Sequence, residues 1–219
     1  MKLNLRLLAT LTLTGALAAS AATLTFDGSG SNSYNGVPTY PYSISVNGGA
    51  DILMMCDDYA THISTGESWT ATAYSLTLAN VGNLKFSSQF GTAAAAYFAY
   101  EEAAVLFADA QAHSANAAAD NAAVWFLFTP NPPNSNGISD PGGTLAAMIA
   151  AAGVKVTAGG LNFSGITIYT PVPTGAAQEF LSGVLTSNST PPVPEPGTFA
   201  LFGAGLVGLG AFSRRLRRS

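Results

Sequence analysis

The chain has 219 residues, 48% of them hydrophobic, 10% aromatic and only 9% charged. An ordinary globular domain is about one-quarter charged, so this composition argues against charge-driven disorder and against a solvated coiled coil. One cysteine, Cys56, excludes an intramolecular disulfide and a four-cysteine zinc site. Two histidines exclude a dense imidazole cluster, and neither a metal nor a cofactor is implied. Charge is segregated along the chain. Lys2, Arg6, Arg214, Arg215, Arg217 and Arg218 sit at the ends, whereas residues 22–193 hold two lysines, Lys85 and Lys155, against eleven acids. A middle of that sign is repelled by nucleic acid, which needs clustered cations to displace counterions.

Residues 1–21 read as a secretory signal peptide. Lys2 and Arg6 form the basic start, Leu7 to Ala18 the apolar run, and Ala19-Ser20-Ala21 the small-residue cleavage site. Signal peptidase is the implied partner, and the mature chain starts near Ala22 or Thr23. The exported cargo domain is expected over residues 22–181, long enough to bury one substantial core.

The first half of the cargo domain is strand-like. Tyr42 to Val46 alternates, Asn47-Gly48-Gly49 is turn chemistry, and Asp51 to Cys56 follows, which together predict a hairpin. Trp69 to Leu78, rich in threonine and aromatics, predicts another strand. The middle is helical. Thr92 to Ala112 is alanine-rich, with Tyr97, Tyr100, Ala104 and Phe107 along one stripe. A second helix is expected from Ala115 to Phe128, ending before Pro130. A third is expected from Thr144 to Ala152, with Thr144 as cap and Gly153 past its end. Strands are expected again over Val154 to Ala158 and Leu161 to Thr170. The fold class read from this order is α+β: a strand-rich N-terminal half, a helical insert, further strands, and a C-terminal single transmembrane helix. Residues 182–193 are a Ser/Thr/Pro linker.

Residues 194–219 form the most specific segment. Pro194, Glu195 and Pro196 make a turn, Thr198 to Phe212 an apolar run, and Arg214, Arg215, Arg217 and Arg218 a basic stop. As a helix the run spans roughly 22 Å, short of the ~30 Å hydrocarbon core but able to cross with local thinning. Arginines just past such a run stay in the cytoplasm, which places the N-terminal domain outside. Gly203 to Gly208 fits G-x-G-x-x-G, but no strand precedes it and no acid follows about 20 residues on, so dinucleotide binding is excluded. This three-part tail resembles the PEP-CTERM sorting signal of Gram-negative bacteria, and related tails occur on some ice-binding proteins. The resemblance implies an exosortase-type membrane protease that recognises Pro194, Glu195 and Pro196. It also implies a temporary inner-membrane anchor carried by Thr198, Phe199, Leu201, Phe202, Leu206, Val207, Leu209 and Phe212. Such proteins are tied to exopolysaccharide and biofilm, with transit to the cell surface or matrix.

Candidate chemistry in the cargo domain is sparse. Cys56 followed by Asp57 and Asp58 stands at a strand end. It reads as a buried small hydrophobe, or as the nucleophile of a secreted hydrolase if a histidine, His62 or His113, lies within reach. Asp57 and Asp58 are oxygen donors of the type calcium takes, although no Asp-x-Asp-x-Asp-Gly loop is present. Glu101 and Glu102, about 100° apart on a helix, do not face each other and read as solvated charge. Asn121 lies on an apolar helix stripe and needs a buried partner. Cys56-Asp57 with Asn121-Ala122-Ala123-Val124-Trp125 weakly resembles bacterial surface thioester domains, in which a cysteine and a glutamine form an internal thioester. By that resemblance Cys56 and Asn121 are the remnant pair, with Asn121 one methylene short. Tyr34, Tyr40, Tyr42 and Trp69 are candidates for stacking against a glycan, although strand aromatics are more often core. The expectation is a non-enzymatic surface or matrix protein, structural or glycan-binding. A thioester adhesin and a secreted hydrolase are the alternatives.

Overall fold

A computed structural model describes residues 19–129 and 138–188. The chain divides into two compact units, Met1–Thr186 and Ser187–Ser219, and the fold described here is that of the first. Its strands are β1 (Ser20–Ser29), β2 (Ser33–Tyr34), β3 (Val37–Pro38), β4 (Tyr42–Val46), β5 (Asp51–Cys56) and β6 (Ser68–Ser75). Two 3-10 turns follow, Val81–Asn83 and Ser87–Phe90. Then come helices α1 (Ala93–Ala112), α2 (Ala117–Phe128) and α3 (Thr144–Ala158), and strands β7 (Leu161–Asn162), β8 (Ile166–Pro171) and β9 (Phe180–Gly183).

Six of these strands close an antiparallel barrel in the order β1-β4-β5-β9-β8-β6. This corrects the α+β expectation. The early and late strands do not form separate layers around a helical insert. β1 pairs with both β4 and β6, and β6 pairs with β8, so the two strand regions share one closed sheet. The expected C-terminal transmembrane helix is corrected too. No helix among the described residues is long and apolar enough to cross a membrane, and the segment expected to anchor, Thr198 to Phe212, lies outside those residues. Closure leaves the barrel itself with no free edge strand for another chain to extend, and a barrel this narrow is filled by its own side chains. Leu24, Ile44, Trp69, Ala71 and Phe180, which the registers put on one face, supply that filling, while Ile166, Ile168 and Leu181 are buried on the other face. Tyr42 packs edge-on against Phe180 at 5.6 Å between ring centroids.

The local chemistry explains the hairpin. Asn47 and Gly48 both have positive φ, 54° and 68°, and the Gly49 N–H donates to the Val46 carbonyl at 3.0 Å. Two positive-φ centres match the right-handed twist of the flanking strands. The register Tyr42↔Met54 and Ile44↔Ile52 follows. Thr92 caps α1, its side-chain oxygen accepting from the Ala95 N–H at 3.1 Å. The third helix runs past the expected Ala152 to Ala158, so the strand expected over Val154–Ala158 is the last turn and a half of α3. Gly153 is not its terminator but a buried contact point. A Cβ added there would stand 2.5 Å from the Glu102 Oε1 of α1. The cap ahead of Thr144 is Gly143. Strand pairing also continues past residue 181, since β9 ends at Gly183.

The three helices pack on one another and against the barrel wall. Phe128 at the end of α2 stacks on Phe86 at 5.1 Å and meets Tyr100 at 4.7 Å. This second aromatic cluster ties the 3-10 turns to α1 and α2, and it frames the site described next.

Candidate functional site

Strand β5 ends at Cys56, and Asp57 and Asp58 follow it; all three are buried. The Cys56 thiol donates to the Asp58 carbonyl at 3.2 Å, and the Asp58 N–H points back to the sulfur at 3.3 Å. Burial first, then the charge of Asp58, push the thiol well above its ordinary range. A thiol held protonated and closed off from solvent is a poor nucleophile. Asn121 of α2 lies beside it, as the sequence pairing anticipates, but the contact runs through the backbone. The Asn121 amide donates to the Cys56 carbonyl at 2.7 Å and accepts from the Tyr40 N–H at 2.7 Å. Both ends of the buried amide are thus satisfied, and the side chain clamps β5 to the segment before β4.

The two aspartates meet different fates. Asp58 accepts from the backbone N–H groups of Ala60 and Thr61 and forms an ion pair with Lys85. The Lys85 ammonium also reaches the Thr61 hydroxyl and the Ala177 carbonyl. Asp57 faces Glu179, a residue sequence reasoning passed over. Glu179 is fully buried and accepts from the Lys85 N–H at 2.9 Å, the Tyr100 hydroxyl at 2.6 Å and the Thr170 hydroxyl. Burial raises the Glu179 carboxyl, but its hydrogen-bond donors pull it back, which makes it the member of the pair that ionises first. Asp57 has no other polar partner for either oxygen. Burial first, then the neighbouring Glu179 charge, raise its carboxyl well above the ordinary range, so Asp57 is the member that holds a proton. The cluster therefore carries two carboxylates against one ammonium, all of it inside. Among the described residues no group of three or more His, Cys, Asp or Glu side chains is placed to hold a metal ion.

Gln178, next to Glu179, connects this cluster to the surface. Its amide donates to the carbonyls of Asp58 at 3.1 Å and Thr61 at 2.6 Å. The other side of Gln178 lines a cleft of about 310 Å³ at the mouth of the barrel. Phe26, Tyr42, Tyr59 and Trp125 form its aromatic walls, with His62 and Thr65 at the polar rim. Tyr59 leans on Trp125 at 5.3 Å. The described lining contains no carboxylate, lysine or cysteine.

The other sequence candidates are distributed differently. Tyr40, Tyr42 and Trp69 are core side chains and Tyr34 is half-buried, so they do not form an exposed stacking platform. Only Tyr42 contributes to the cleft. Glu102 is buried rather than solvated, and burial raises its carboxyl to about 7. His113 caps α1, and it lines a different cavity from the one His62 lines. Tyr59 and Gln178 were missed. A single tyrosine after two acids carries no periodic signal, and Gln178 is brought here only by the pairing of β9 with β5. Pro194, Glu195, Pro196, the apolar run and the arginines lie outside the described residues.

Residues 192–218 match the PEP-CTERM protein-sorting motif. The chain carries that sorting signal, which marks an exported protein that exosortase sorts on its way through the membrane to the cell surface. No curated protein and no solved structure matches the chain.

Proposed function

We propose that this protein is a non-enzymatic component of the cell surface or extracellular matrix, whose barrel holds a glycan segment of the surrounding exopolysaccharide in its aromatic cleft. The signal peptide over residues 1–21 starts export, signal peptidase releases it, and the tail delivers the cargo. The observation that carries the ligand reading is the composition of the cleft. Four aromatic side chains provide apolar faces, while His62, Thr65 and Ser29 offer polar contacts at the rim. Such walls with few convergent polar groups are the ordinary make-up of a binding pocket. The absence of a carboxylate from the described lining leaves no pair for acid and base work on a glycosidic bond. Cys56 is enclosed and protonated, which favours this reading over a hydrolase and over a thioester adhesin.

Two measurements test it. Intact mass of the protein from its own host, taken separately from membrane and medium, is expected to give a released form ending near Pro194 to Gly197. A full-length form confined to the membrane argues against release by sorting. Calorimetric titration with host exopolysaccharide fragments is expected to show binding that weakens about tenfold in Tyr59→Ala, the size of one lost aromatic contact. Equal binding by the variant refutes the cleft as the glycan site.

A further inference from the structure

A second cavity, of about 330 Å³, opens among the three helices. It shares no lining residue with the aromatic cleft. Asp109 and His113 reach it from the end of α1, Asn116 and Asp120 from the start of α2, and Met148 and Lys155 from α3. The charges here do not balance. Lys155 is already matched, its ammonium donating to Asp109 at 2.6 Å. Asp120 has no such partner. It is 3% exposed, and its Oδ2 has no hydrogen bond. A buried carboxylate left unsatisfied costs folding free energy and calls for a donor. Asp109, His113 and Asp120 are not placed to share a metal ion, since among the described residues no group of three such side chains is. The charge to be met is a single negative one, and the cavity is roomy enough for a compact organic group.

We propose that this three-helix cavity binds a small ligand bearing a primary ammonium group, with Asp120 accepting from the ammonium. Asn116 stands one helical turn before Asp120 and adds an amide oxygen on the same wall. The Asp109–Lys155 pair also lines the cavity and is neutralised within itself, which leaves Asp120 as the acid to be matched. An ammonium suits the site because it brings both the missing charge and up to three donors. Charge state supports the same reading. Burial, and the Asp109 charge after it, raise the Asp120 carboxyl to about 6, against the opposing pull of Lys155 and His113. The side chain is thus ionised at neutral pH and loses its charge in mild acid.

The test is calorimetric titration of the full chain at pH 7.5 with ethanolamine and glucosamine. Ethylene glycol and glucose serve as the uncharged matches, and tetramethylammonium as a cation without N–H donors. Saturable binding of at least one amine at one site per chain is expected, with none by the three controls. Asp120→Asn is expected to weaken it by tenfold or more, the size of one charge-assisted hydrogen bond. Wild-type binding is expected to fall likewise between pH 7.5 and 5, a readout that stands even if the variant does not fold. Failure of both amines to saturate, equal binding of a control, or binding indifferent to Asp120 and to pH overturns the proposal. The Tyr59→Ala variant, which tests the glycan cleft, is expected to bind the amine as the wild type does, so the two readings fail separately.

Discussion

Replacing Asp57 by asparagine tests the proton assigned to the buried acid pair. In the folded chain Asp57 keeps its proton because burial and the Glu179 charge raise its carboxyl well above the ordinary range. In the unfolded chain it ionises near pH 4. Unfolding therefore releases a proton above pH 4, and wild-type stability falls as pH rises through the window up to the folded-state value. One proton corresponds to about 1.4 kcal/mol per pH unit. Asparagine has no proton to release and still offers a donor to Glu179, so this slope disappears. Relative to wild type, the variant is expected to gain about 3 kcal/mol between pH 4 and pH 6. Urea unfolding at several pH values, followed by the fluorescence of Trp69 and Trp125, measures the difference directly. The raised carboxyls away from the pair, Glu101, Glu102 and Asp120, titrate in both proteins and cancel in the subtraction. Parallel stability curves for variant and wild type, with no pH-dependent gap, refute the shared-proton assignment.

Three further outcomes are expected. Lys85→Met strips the buried Asp58 of its ammonium and should cost about 3–5 kcal/mol in chemical denaturation, whereas Lys155→Met, on a half-exposed pair, should cost less than about 1 kcal/mol. Gly183→Ala should destabilise by about 2 kcal/mol or more in the same assay, because Gly183 has φ 99° and an added Cβ would stand 2.0 Å from the Gly165 carbonyl oxygen. Asn121→Ala should cost about 1–3 kcal/mol by leaving the Cys56 carbonyl and the Tyr40 N–H unpaired in the core, read as a drop in urea midpoint with unchanged slope.

The local elements were legible where chemistry is local. The β4–β5 hairpin followed from alternation around Asn47-Gly48, and α1 and α2 from apolar spacing and the proline after Phe128. The strand expected over Val154–Ala158 failed because Val154 and Val156 favour strands on their own, while packing of α3 on Glu102 at Gly153 overrides that weak preference. β1 was hidden because its first residues, Ser20 and Ala21, also read as a cleavage site. Barrel closure was not legible at all, since β1–β6 and β5–β9 join residues far apart in sequence. The same distance hid the acid cluster. Nothing near Cys56 in the chain announces that Lys85 and Glu179 will meet Asp58 and Asp57. The tail needed no fold to be read, because a sorting signal is recognised as linear sequence.

The pairing of β5 with β9 has a bearing on timing. The ring of strands cannot close until Phe180–Gly183 is present, and only residues 184–191 separate that strand from the sorting motif. In a chain that crosses a membrane N-terminus first, the last stave emerges just before the signal that addresses it. Long-range pairing of this kind is slow to assemble, which keeps the passenger threadable for almost its whole passage. The barrel locks at about the moment its destination label comes into reach.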